Sequence, residues 1–139
     1  MLRAMLPESI LERAAFRLAE PAWRPADVPG VLQATALLGL RCAGGQFQFR
    51  DEGGPICDMY WLDADAPARI PNESWTEWVT RCADEVESAF QRILRATDWH
   101  AQAASWPGTP YAIRTAAGDD PLGFLVFVAY FGSSPVAET

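Results

Sequence analysis

The chain has 139 residues, a length that fits one domain able to bury about 70% of its unfolded surface in a single core. Half of the residues are hydrophobic and 21% are charged, a balance that excludes disordered, collagen-like and coiled-coil chains. Eighteen acids stand against eleven bases, all of them arginine, for a net charge of −7.

The imbalance is local: residues 51–87 hold ten acids and only two bases, Arg69 and Arg81, which is −8 and leaves +1 for the rest of the chain. Binding a nucleic acid through its phosphates needs a basic stripe, because counterion release supplies most of the affinity. No such stripe is present, so direct nucleic-acid binding is not expected. The plain alternative to a binding role for the acids is that they keep a small protein in solution.

In chain order, Pro7 suits a first helical turn, and Ile10, Leu11, Ala14, Ala15 and Leu18 then recur with helical spacing up to Pro21. A first helix is expected over about residues 7–19. A second starts at Asp27, with Pro29 in its first turn and Val31, Ala34, Leu37, Leu38 and the stem of Arg41 on one stripe, and ends near Gly44-Gly45. From Gly45 the period becomes two: Gln46–Arg50 and Ile56–Leu62 flank the turn residues Asp51-Glu52-Gly53-Gly54 and read as an antiparallel hairpin. Phe47, Phe49, Cys57, Met59 and Trp61 are expected on its inner face, with Gln48, Arg50, Asp58 and Tyr60 outside. Residues 63–73 contain two prolines and no period, and read as a loop.

Ser74-Trp75-Thr76-Glu77 matches a capping box, and the stripe Trp75, Val79, Cys82, Val86, Phe90, Ile93 predicts a long amphipathic helix over 75–96. Asp98–Trp106 suggests a short helical turn. Tyr111–Thr115 and Phe124–Phe131 are expected to form a second hairpin. Every residue of 124–131 is apolar, with Phe124, Val126, Val128 and Tyr130 on one face and Leu125, Phe127, Ala129 and Phe131 on the other, so both faces need cover. The long helix covers one; the other calls for the N-terminal helices, a second layer, or a second copy of the chain. The expected fold is a single α+β domain over 1–139, roughly α-α-β-β-α-β-β, with an antiparallel sheet against helix 75–96.

Catalytic and cofactor chemistry finds little support. The lone histidine, His100, lies beside Asp98 without a nucleophile motif. Cys42, Cys57 and Cys82 are odd in number and lack a C-x-x-C pair, so they read as buried small hydrophobes in a reducing, cytoplasmic setting. Met1–Pro7 lacks the apolar core of an export signal, and the run 124–131 is too short to span a membrane. Asp58, Asp63, Asp65 and Glu73 are of the type that holds a hard cation, yet the sequence after Asp65 lacks the glycine and glutamate of a calcium loop; no metal is expected. Gly44-Gly45 and Gly53-Gly54 lack the Lys-Ser/Thr of a phosphate loop, and no cofactor is expected.

Six tryptophans are many for this length. Trp61, Trp75 and Trp78 read as core, whereas Trp99 and Trp106 fall in an irregular segment and read as candidates for a contact surface. The favoured expectation is a non-catalytic acidic inhibitor that neutralises a protein partner with a basic, nucleic-acid-handling surface, as toxin-immunity proteins and phage inhibitors of CRISPR complexes do. The residues expected to bind are Asp58, Asp63, Asp65, Glu73, Asp84, Glu85, Glu87, Trp99 and Trp106. Two alternatives stand beside it: a small enzyme or ligand-binding domain using His100, and a structural or chaperone-like homodimer joined through 124–131.

Overall fold

Alternation of apolar and polar residues in the middle of the chain, and a wholly apolar run near its end, build one antiparallel sheet with a long helix laid across it. The computed structural model describes residues 2, 3, 6–18 and 20–134; position 19, where the first helix was expected to end, and positions 1, 4 and 5 of the segment read for an export signal lie outside the described residues. The elements are β1 (Leu2–Arg3), α1 (Glu8–Leu11), a 3₁₀ turn (Pro25–Asp27), α2 (Val28–Leu37), β2 (Arg41–Phe49) and β3 (Cys57–Asp65). They continue with α3 (Trp75–Ala96), α4 (Trp99–Ala104), α5 (Pro110–Ala116), a second 3₁₀ turn (Pro121–Phe124) and β4 (Leu125–Ser133). The sheet order is β1-β4-β2-β3, every pair antiparallel. The chain is thus α+β, and α3 packs against the sheet as expected.

The long helix forms for the reasons legible in its sequence. The Ser74 hydroxyl accepts from the Glu77 amide at 3.1 Å while the Glu77 carboxylate accepts from the Ser74 amide at 3.0 Å, so two otherwise orphaned donors are satisfied. Val79, Cys82, Val86 and Phe90 of its stripe are buried, and Val86 and Phe90 join Phe47, Phe49 and Phe127 of the sheet in one core, with Phe90 and Phe47 stacked at 5.3 Å. Phe47, Phe49, Cys57 and Met59 share this inner face, as the alternation predicts.

Trp61 does not share it. Between Gln46 and Phe47 the β2–β3 register jumps from Asp63 to Met59, so residues 60–62 bulge and the inward phase moves from Trp61 to Leu62 and Ala64. Trp61 is left exposed as a result, beside Tyr60, which is exposed as the alternation predicts. The strand also runs to Asp65, into the stretch expected to be loop.

Three further expectations are corrected. The first helix stops at Leu11 because the chain folds back on itself: the Ala15 and Phe16 amides both donate to the Ala22 carbonyl, which places Phe16 and Ala22 over Val126 and Val128. The second helix ends at Leu37, with Gly39 at φ 74° turning the chain, and β2 begins at Arg41 rather than Gly45. Residues 111–115 are helical, not a strand: Thr109 caps α5 from the Ala112 amide at 3.4 Å and Pro110 occupies its first turn. β4 therefore pairs with β2 and β1, and Phe124 belongs to the preceding turn, facing Phe49 and Tyr111.

The second face of β4 is covered from within. Val126, Val128 and Ala22 are fully buried together, Phe16 and Tyr130 pack against them, and Trp23 pairs its backbone with Phe127 in both directions. Both faces of β4 are thus covered by residues of the same chain. The same cover buries two residues expected outside: Gln48, whose amide donates to Asp58, and Arg50, whose guanidinium donates to the carbonyls of Leu18 at 2.7 Å and Glu20 at 2.8 Å.

Candidate functional site

The acids expected to bind a partner fall into two groups on opposite faces of the sheet. Ala64 points into the core beside α3, so Asp63 and Asp65 on either side of it point to the other face, where Asp58 also accepts from Gln46 and Gln48. Glu73, Asp84, Glu85 and Glu87 lie instead on or beside α3. The −8 segment is therefore not one patch.

Within each group, several acids serve the fold. Glu73 takes a two-pronged contact from Arg81, at 2.8 Å on each oxygen, and a 3.0 Å hydrogen bond from the Ile70 amide. These donors hold its carboxyl down at about 2, against an ordinary 4.5. Glu85 accepts from the same guanidinium at 3.1 Å. Arg69, the other base of the segment, donates to the Glu73 carbonyl and lies 5.6 Å from the Trp78 ring. Asp63 and Asp65 sit close enough that repulsion from Asp63, with some burial, raises the Asp65 carboxyl. Asp84 and Glu87 form no ion pair or side-chain hydrogen bond among the described residues, and both border the same depression.

That depression is a groove between α2 and α3 of about 540 Å³. Leu32, Ala36 and Ala83 form its apolar floor; Thr76, Thr80, Asp84 and Glu87 follow one stripe of α3 and form a polar wall. Among the described residues, no base lines it. At its α2 side Leu37 is 83% exposed, an apolar side chain with no packing role in the isolated chain. A second hollow of about 390 Å³ on the other flank of the Thr76–Thr80–Asp84 stripe is lined by Glu73, Glu77 and Arg81. A third, of about 400 Å³, lies beside Phe16, Arg50 and the Asp51–Gly54 turn, where the Arg50 donors are already used by backbone carbonyls.

The tryptophans exchange the roles their sequence context suggests. Trp99 is core: it lies 5.0 Å from the Phe47 ring, and its indole donates to the Leu94 carbonyl at 3.0 Å. Asp98 caps α4 and Trp99, its first residue, is buried rather than set on a surface. Trp61, read as core, is exposed and stacks on the half-buried Trp106 at 6.0 Å, with its indole held by Gln102 at 3.0 Å. Trp106 does reach a surface, as part of this Tyr60–Trp61–Trp106 cluster. Trp75 and Trp78 are tied down by indole hydrogen bonds to the carbonyls of Gly39 and Pro67.

His100 is exposed in the first turn of α4. The three cysteines are buried and unpaired, and desolvation pushes the Cys42 thiol up to about 12. Among the described residues, no group of three or more histidine, cysteine and carboxylate side chains is placed to hold a metal ion, and no helix is long and apolar enough to cross a membrane. Asp84 and Glu87 were among the residues expected to bind, but the groove they border was not legible, because it arises from the pairing of α2 with α3; the i, i+4 run of Thr76, Thr80 and Asp84 was the available signal. Comparison with protein-family models, with curated proteins and with solved structures finds no match for this chain.

Proposed function

We propose that the protein is a non-catalytic inhibitor that captures a protein partner through complementary charge, the partner presenting a basic surface of the kind used to handle nucleic acid. Toxin-immunity proteins and phage inhibitors of CRISPR complexes work in this way. The observation that carries this reading is the pair Asp84 and Glu87, acids that no base among the described residues neutralises, set on the wall of an apolar groove. An interface gains on-rate from such charge and affinity from such a floor. Asp63 and Asp65, exposed on the far face, add to the long-range field that steers a basic partner toward the molecule.

The test is capture from a host lysate, with the protein and its Asp63→Asn, Asp65→Asn, Asp84→Asn, Glu85→Gln, Glu87→Gln variant as parallel baits. Basic proteins retained at low salt, released at high salt and lost from the variant support the reading. An identical set on both baits, or retention of a small molecule and no protein, overturns it.

A further inference from the structure

We propose that the groove between α2 and α3 is the docking site for one amphipathic, Lys/Arg-flanked helix of the partner. This rests on the charge-capture reading and assigns it a place and a ligand class. Two neighbouring helices present a trough whose floor is Leu32, Ala36 and Ala83, and a third helix buries one apolar stripe in such a trough. The ten residues of α2 give it a length of about 15 Å, enough for roughly three turns of a ligand helix. Leu37, exposed beside the groove, extends the apolar contact.

Charge fixes the kind of helix. Asp84 and Glu87 stand on the α3 wall with no base among the described lining residues, so a helix carrying acids beside its apolar stripe is repelled, and one carrying Lys or Arg there finds a partner for each. In the adjoining hollow Glu77 adds a negative charge along α3, whereas Glu73 is neutralised by Arg81. An extended strand fits less well, because neither wall offers unpaired backbone: both are helices.

The probe is a fluorescein-labelled Leu/Lys peptide of about 18 residues with helical periodicity, followed by anisotropy, beside a scrambled peptide of the same composition. The amphipathic peptide is expected to bind the parent protein at least about tenfold more tightly than the scrambled one. Leu37→Arg, at a position exposed enough to leave the fold intact, and Ala36→Phe, which fills the floor, are each expected to weaken it about tenfold. Asp63→Asn with Asp65→Asn, on the far face, is expected to change it by less than about twofold. Equal binding of both peptides, or binding insensitive to Leu37→Arg and Ala36→Phe but lost with Asp63 and Asp65, overturns the groove and leaves charge capture standing. Binding of neither peptide, together with unchanged capture by the five-acid variant, overturns both. Circular dichroism on each variant reports whether it is folded, and Leu37→Arg decides the matter if Ala36→Phe is not.

Discussion

At Glu73 two arginine nitrogens and a backbone amide converge on one carboxylate, and the acid is held at about 2 against its ordinary 4.5. A carboxyl lowered in the folded state contributes stability that is complete above its unfolded value and is lost as pH falls toward the folded one. The melting temperature is therefore expected to drop between about pH 4.5 and pH 2, and Glu73→Gln to flatten that part of the profile while lowering stability at neutral pH. Gly45 makes a steric prediction. A Cβ there would collide with the Phe127 ring and the Val128 carbonyl, so Gly45→Ala is expected to cost about 1–3 kcal/mol in chemical denaturation. The tryptophans supply a contrast. Trp99→Ala, in the core, is expected to cost about 3–5 kcal/mol, while Trp61→Ala, on the bulge, leaves the core intact and is expected to move the denaturation midpoint far less.

At the scale of elements, α3 was readable because capping and periodicity agree, with Glu77 in its first turn and Arg95 in its last. Ser74→Ala is expected to remove about 1 kcal/mol, measured by thermal melting, by orphaning the Glu77 amide. The misread elements are those in which local signals compete. Tyr111–Thr115 alternates in a strand-like way, but Thr109-Pro110 before it is a helix start, and the cap prevails. The stripe of α2 continues in sequence through Leu40 and Arg41, yet Gly39 adopts a left-handed turn and the following residues are needed by the sheet. Residues 12–18 have helical spacing, and burial overrides it: Phe16 and Ala22 are required over Val126 and Val128. The bulge that frees Trp61 has no local signature, since it is set by the register across two strands.

For the whole molecule, composition was informative about sign and silent about place. The acidic excess of 51–87 is plain in the sequence, but strand alternation at Ala64 sends Asp63 and Asp65 to one face while α3 carries Asp84 and Glu87 on the other. No pattern along the chain announces which acids the fold consumes. Asp84→Asn with Glu87→Gln is expected to leave the melting temperature no lower than that of the parent at low salt, because these neighbouring like charges repel and neither is paired among the described residues. Loss of capture without loss of stability is the signature of charge retained for binding.

The sheet order also governs how the molecule assembles. β4 is the last described strand to be synthesised, yet it lies between β1 and β2 and supplies Leu125, Phe127 and Phe131 to the core. Until it arrives, after α3, α4 and α5 have been made, the open edge of β2 and the aromatic face of the β2–β3 hairpin have nothing to close on. Folding must wait for a contact distant in sequence, which makes it slow for a chain this short and leaves the nascent hairpin prone to pairing with other chains. A chain ending before Leu125 is accordingly expected to collect in the insoluble fraction, and refolding of the intact chain to proceed on the millisecond-to-second scale rather than in microseconds.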